Sequence, residues 1–372
     1  MGRSTSIVER TLSMPDGSAA LQGLPFGWVG LSAKFAEDQG IDVRGQLANS
    51  GVACPIDDDT PLDASTFLLM CSLVINGLDD EMHGLTRRRM VRGTASTISR
   101  EMATKDSLFD AASVLARSFR AVNALCDLQL RIDAGMAVLE IRSHGQDVLR
   151  ASVVEELMAH FIYHQFSFLV GFLLPLSRVT TRSEAHPYLN RQHPYLLCPV
   201  AAGPVTQLVF PADQLQTPCH APVTENPIWD AQRFWLQLHP HMLVDDADRN
   251  LRGPVSERVF HLLLERHLSL CDCADILGVT DGELKRQLAT ERSSFRRVRR
   301  SALIRRARPL LQSGFALDDL AECFGYSDAR SMRRAIKLAG GGSIEILRTG
   351  PSHASRNIEV LEHLRQQATL MM

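Results

Sequence analysis

The chain has 372 residues, 45% hydrophobic and 22% charged, with 40 Lys and Arg against 42 Asp and Glu. These proportions are ordinary for a globular protein, and the length accommodates two domains. No run of 18 uncharged apolar residues occurs and no basic-then-apolar leader opens the chain, so neither a membrane span nor a signal peptide is expected.

Residues 1–24, Ser4–Gly23 above all, read as a polar, loosely ordered start. Gly27–Gly40 and Ser65–Leu78 read as helices. Ser107–Val122 is a clear amphipathic helix, with Leu108, Ala111, Val114, Leu115 and Phe119 on one side. The period then changes to two. Leu128, Leu130 and Ile132 alternate with polar residues, Asp133-Ala134-Gly135 supplies a turn, and Met136–Ile141 returns as the second strand of a hairpin. Ala151–Leu173 reads as a long apolar helix, interrupted by Glu155, Glu156, His160, His164 and Gln165. Leu196–Val200 and Gln207–Phe210 read as short strands, which gives an α+β order. Trp229, Phe234, Trp235 and Leu238 recur at helical spacing within a linker, 219–253. Asp245-Asp246-Ala247-Asp248 and Gly253-Pro254 mark its hinge, the expected site of limited proteolysis.

Near the C-terminus a pattern repeats after 47 residues. The first copy is Cys273-Ala274-Asp275-Ile276-Leu277-Gly278-Val279-Thr280, the second Leu320-Ala321-Glu322-Cys323-Phe324-Gly325-Tyr326-Ser327. The Ala permits close helix approach, the Gly ends a helix in the left-handed region, and the Thr or Ser caps the next helix. This is the grammar of a helix-turn-helix, and two copies are far more specific than one. After the first turn Leu284 and Leu288 face inward and leave Lys285 and Arg286 outward. After the second, Met332, Ala335 and Ile336 form the inner stripe and leave Arg330, Arg333, Arg334 and Lys337 outward. Between the copies, Phe295–Arg308 carries seven arginines, Arg296 and Arg300 among them, and no acid. Residues 253–348 hold 17 Lys and Arg against 12 Asp and Glu, a net of about +5, whereas residues 1–252 carry about −7. An uncompensated basic surface suits a polyanion such as double-stranded DNA better than mere solubilisation.

Residues 256–348 resemble the DNA-binding domain of the AraC/XylS transcription regulators. The resemblance in the second unit runs without a gap from Gly325-Tyr326-Ser327-Asp328 through Arg334-Ala335 to Gly341, Ser343 and Arg348. It implies an all-α domain, 254–348, of two helix-turn-helix units joined by a long linker helix, followed by a tail, 349–372. It also implies DNA readers at Gly282, Lys285, Arg286, Ala329, Arg330, Arg333 and Arg334. Gly282 and Ala329 have no side chain able to reach a base edge. Met332 and Ile336 stand where the family has Phe, and Leu303 stands where its linker helix has Arg. Pro309 is expected to kink or shorten that helix, and Gly340-Gly341-Gly342 to fray the second recognition helix. A less rigid second unit would leave the first, through Arg286, dominant.

More loosely, residues 25–218 resemble the arabinose-binding-type effector domain that precedes this module in some AraC/XylS regulators, including ornithine-utilisation regulators. His83-Gly84-Leu85, the 107–122 helix, the hairpin, Cys198-Pro199-Val200, Leu208-Val209-Phe210 and Leu215-Gln216-Thr217-Pro218 carry the likeness. It implies an α+β effector-binding and dimerisation domain, a homodimer, a small-molecule effector of unspecified identity and contact with RNA polymerase, with no membrane role. A cytoplasmic location follows for such a regulator, and the eight scattered cysteines then read as reduced thiols.

Catalytic and metal chemistry find little support. His160 and His164 are four apart on a helix, a spacing that can hold a metal, but no Glu follows His160 and nothing in the spacing brings in His220, His239 or His241. Cys271 and Cys273 are too close for a usual structural zinc pair. No enzyme, cofactor or metal is therefore expected. A second reading stays open: a drifted sensor that pairs with another regulator without itself reading DNA.

Overall fold

The computed structural model describes residues 23–50, 52, 55–122, 126–144, 147–238, 254–265, 268–339 and 343–349. The polar start, His239, His241, the hinge, the glycine triplet and the tail beyond Thr349 lie outside the described residues.

The architecture is an α+β N-terminal domain followed by helices that form two helix-turn-helix units around one long helix. The chain opens with β1 (Leu24–Pro25), α1 (Phe26–Val29), α2 (Leu31–Asp38), α3 (Val43–Asn49) and β2 (Pro61–Leu62), in which β1 and β2 pair antiparallel. Next come α4 (Ala64–Leu78), α5 (Thr94–Met102) and α6 (Leu108–Val122). Asp63 caps α4 by accepting the Thr66 N–H at 2.7 Å. A five-stranded sheet follows in the order β3-β4-β7-β5-β6. Its strands are β3 (Cys126–Asp133), β4 (Met136–Ser143), β5 (Arg178–Thr181), β6 (Val200–Ala202) and β7 (Thr206–Pro211). All neighbours are antiparallel except β5 and β6.

The expected hairpin is β3–β4. Asp133 pairs with Met136 across a two-residue turn whose centres, Ala134 and Gly135, have φ of 48° and 78°, the sense of turn that matches strand twist. The expected alternation on β3 fades toward that turn. Leu128 is buried, but Ile132, near the turn end of this edge strand, is 60% exposed. The strand expected at 196–200 is shifted to Val200–Ala202. The preceding residues form a tight turn, with Leu197 at a φ of 56°.

The core of this domain centres on α7 (Val148–Val170), which packs against α6, β4 and β7 on the sheet side and α8 (Pro227–Leu238) on the other. Of its acids, Glu155 is fully buried and ties helix to sheet. It accepts the Ser143 N–H at 2.8 Å and the Thr206 hydroxyl at 2.7 Å, and Arg182 lies 3.3 Å away. The linker helix expected from Trp229 to Leu238 is α8, and it packs on α4, α5 and α7.

The C-terminal helices are α9 (Val255–Glu265), α10 (Leu270–Leu277), α11 (Asp281–Thr290), α12 (Phe295–Gln312), α13 (Leu317–Cys323), α14 (Ala329–Leu338) and α15 (Ile344–Thr349). Helices α9, α14 and α15 pack along α12, which also meets α8. Pro309 does not end α12, which continues to Gln312. Its ring is buried, together with Leu310 and Leu311, so tertiary packing there offsets the missing hydrogen bond.

Candidate functional site

The two repeats are two helix-turn-helix hairpins, α10–α11 and α13–α14. Ser269 and Asp272 form a reciprocal capping box that starts α10, and Gly278 ends it at a φ of 67°. Gly325 holds the equivalent left-handed place at 68° after α13. Thr280 caps α11 as expected, accepting the Glu283 N–H at 3.2 Å. In the second unit the cap falls one residue later than expected. Asp328 accepts the Ser331 N–H at 2.7 Å, and Ser327 donates its hydroxyl to Asp328. These bonds, with the Arg330 N–H, hold the Asp328 carboxyl below its usual range.

Leu284 and Leu288 are fully buried, as are Met332 and Ile336, and the outward positions follow from that. Lys285 and Arg286 on α11 and Arg330, Arg333, Arg334 and Lys337 on α14 are all exposed. Arg286 has only a loose 3.8 Å pair with Glu283, which at this exposure holds it weakly. The first turn of α11 carries Asp281 and Glu283, whereas that of α14 carries no acid. Of the linker arginines, Arg296 is exposed and Arg300 half-buried.

Arg306 departs from the expected solvated run. It is 2% exposed, donates to the Leu263 carbonyl at 3.4 Å, and stacks over Phe324 at 4.4 Å, with Phe172 of the N-terminal domain 6.0 Å away. Burial lowers its pKa to about 10, so it remains charged at neutral pH. The 3.6-residue period could have found it, because Arg306 falls between Leu303 and Leu310 on the buried side of α12.

The N-terminal domain contains a cavity of about 120 Å³ between α4, α5, α6, α7 and α8. Phe67, Met82, Phe119, Met158 and Ile228 supply apolar wall; Glu81, His83, His160, His164, Gln165 and Gln232 supply polar groups. His160 and His164 therefore do share one site, with ring centroids 6.1 Å apart. His220 is held elsewhere, its backbone N–H bonded to the Leu169 carbonyl.

Behind His160 lies a cluster that spacing did not reveal: Glu156, His186 and His193, all buried. His193 Nε2 is 2.9 Å from one Glu156 oxygen, His186 Nε2 is 3.3 Å from the other, and the Trp28 indole donates to Glu156 as well. The donor chemistry does not suit a metal. His193 Nδ1 accepts the N–H groups of Tyr195 and Leu196, each at 3.1 Å, and His186 Nδ1 accepts that of Tyr188 at 3.1 Å. Both Nδ1 atoms thus use their lone pairs, which places the ring protons on Nε2, aimed at the carboxylate. A metal would need those Nε2 lone pairs free. The cluster is a clamp on a buried carboxylate. Burial pushes the Glu156 pKa up, but its interactions with His186, His160 and His193 outweigh it and hold it well below the usual range. His160 Nε2, 3.7 Å from Glu156, is too distant for a full hydrogen bond. The signal available in the sequence was the acid pair Glu155-Glu156 inside an apolar helix, which demands buried donors.

Comparison with known proteins agrees with the N-terminal assignment. Residues 40–219 match the family model described as the arabinose-binding domain of AraC transcription regulators, N-terminal. The chain also aligns with the crystal structure of the transcriptional regulator CdpR from Pseudomonas aeruginosa, at 20% identity over 84% of this chain and 98% of that one, with a TM-score of 0.29. No curated protein sequence matches. By the segment from residue 40 to 219, the chain is similar to the arabinose-binding N-terminal domain of AraC transcription regulators.

Proposed function

We infer that the chain is a DNA-binding transcription regulator controlled by a small-molecule effector. The observation that carries this reading is the shared design of α11 and α14. Each follows a tight turn, buries Leu284 and Leu288, or Met332 and Ile336, and exposes Lys285 and Arg286, or Arg330, Arg333 and Arg334. Such helices enter successive major-groove segments, where an outward Arg can pair bidentately with guanine. Arg296 and Arg300 on α12 would add phosphate contacts that hold the protein without selecting a sequence. Effector control has a structural route. Helix α7 lines the cavity with His160 and Gln165 and meets the C-terminal helices with Phe168, whose ring lies 5.2 Å from Phe315. Helix α8 lines the cavity with Gln232, and its next residue, Arg233, donates to Ser313 at 2.9 Å. A ligand that moves either helix changes the contact surface of α12. Homodimerisation, contact with RNA polymerase and a cytoplasmic location complete the proposal.

The test is electrophoretic retardation of the full chain on fragments flanking its own gene, across a salt series. Log affinity is expected to fall with log salt at roughly −0.9 per phosphate neutralised. Arg296→Ala with Arg300→Ala should flatten that slope and weaken binding to all sequences alike. Failure to retard any fragment at low salt would leave the pairing-only sensor as the better reading.

A further inference from the structure

The polar groups around the cavity specify what it holds. Gln165 is 2% exposed and lines the cavity, and its Nε2 has no hydrogen-bond partner. His160, 3% exposed, leaves Nδ1 unpartnered while its Nε2 stands 3.7 Å from Glu156, and His83, 5% exposed, leaves Nδ1 unpartnered. Buried polar atoms without partners cost free energy, so three such side chains around one space point to an occupant that satisfies them. Their chemistry is selective. An amide Nε2 only donates, so it requires an acceptor atom on the occupant. A neutral imidazole offers one donor and one acceptor.

Charge narrows the class further. The lining has no Lys or Arg, and its one carboxylate is Glu81. Both Glu81 oxygens are already engaged, by the N–H groups of Gly93 and Ala95, each at 2.7 Å. An anion would meet no fixed cation and would approach Glu81. An ammonium group would leave Gln165 unsatisfied. A polyol would bring more hydroxyls than this mostly apolar wall can pair. The volume is close to the roughly 150 Å³ of an engineered apolar cavity that accepts benzene.

We propose that the cavity binds a compact, uncharged molecule of about single-ring size, with an apolar body and one hydroxyl or carbonyl group that meets Gln165 and His160. This deepens the effector reading and rests on it for biological meaning, but the binding itself can be tested without DNA.

Phenol is the probe, with benzoate, benzylammonium and arabinose as comparators, each titrated into the full chain. Binding is followed by calorimetry and by the emission of Trp235, whose ring is 4.3 Å from that of the cavity residue His164. Phenol should saturate at one per chain, with the three comparators at least tenfold weaker. Gln165→Leu, near in size, should weaken phenol by about tenfold, the worth of one hydrogen bond. The same change should raise the melting temperature of the unliganded protein, because it removes an unpartnered buried amide. A merely structural Gln165 would show the opposite sign. Tighter binding of benzoate or benzylammonium, no saturation by phenol, or phenol affinity indifferent to Gln165→Leu would each overturn the proposal. Parallel retardation assays keep the two readings apart, since phenol binding with no DNA retardation sinks only the regulator, and retardation with no phenol binding sinks only the ligand class.

Discussion

At the residue scale, the packing of the second helix-turn-helix changes which arginine should matter. Met332 and Ile336 on α14 are fully buried, as are Leu284 and Leu288 on α11. Their burial removes the packing part of the reason to rank the first unit above the second; the glycine triplet lies outside the described residues. Helix α14 also carries no acid in its first turn, whereas α11 carries Asp281 and Glu283. Arg330→Ala or Arg334→Ala should cost operator binding about 1–3 kcal/mol each, at least as much as Arg286→Ala. Titrations of the three variants against one operator fragment check the order, and a loss confined to Arg286→Ala would restore the first unit's dominance.

The histidines make a second residue-level prediction. Burial lowers the pKa of His83 to about 4, and burial likewise leads the lowering of His193 to about 4. Between that value and the unfolded value near 6.5, the unfolded chain binds protons that the folded chain does not. Stability must then fall as pH drops from about 6.5 toward 4, by up to roughly 1.4 kcal/mol per pH unit for each histidine. Glu156, whose pKa is depressed, adds stability above the usual carboxylate range that is lost only in stronger acid. Denaturant unfolding at pH 7 and pH 5 should show the loss, and His83→Gln should reduce the slope by about one proton. A slope unchanged by that substitution would remove His83 from the account.

At the scale of the element, helix ends were largely readable, and of the two expected caps one, Thr280, stands where expected and the other does not. The repeat located both turns from the Ala-to-Gly spacing, a purely local signal. It assigned the second cap to Ser327, but the cap is Asp328, because the turn after Gly325 carries the chain one residue further before the helix begins. Asp328→Ala should destabilise by about 1 kcal/mol, and Ser327→Ala by clearly less. Equal losses in thermal unfolding would mean that the two side chains share the cap. Pro309 shows the opposite limit. Local rules expected a kink or a shortened last turn there, whereas α12 continues to Gln312 with Leu310 and Leu311 buried.

At the scale of the whole molecule, the two parts are in contact. Phe168 meets Phe315, Arg233 meets Ser313, and the Cys323 thiol lies 3.8 Å from the Val170 carbonyl. Gly171 ends α7 at a φ of 77°, with Cys323 and Leu310 side chains 3.5 Å from where a Cβ would stand. Limited proteolysis in 243–254, which falls almost wholly outside the described residues, should thus give two fragments that stay associated. Phe315→Ala should cost about 3–5 kcal/mol and loosen that association, as size exclusion of the cleaved protein would show. Fragments that separate at once in the unsubstituted protein would argue against this interface.

The sequence by itself determined the helix-turn-helix pair, the hairpin, the amphipathic α6 and the outward placement of Lys285, Arg286, Arg330, Arg333 and Arg334. Each depends on contacts within a few residues, so periodicity and turn chemistry suffice. Only the tertiary structure decided the Glu156 clamp, the cavity and the burial of Arg306. His186 and His193 reach Glu156 from a loop 30 and 37 residues away, and His83 reaches the cavity of His160 from a turn 77 residues earlier. No local pattern encodes such approaches, because a buried polar group is specified by the partner that satisfies it, and chain topology alone decides which partner arrives.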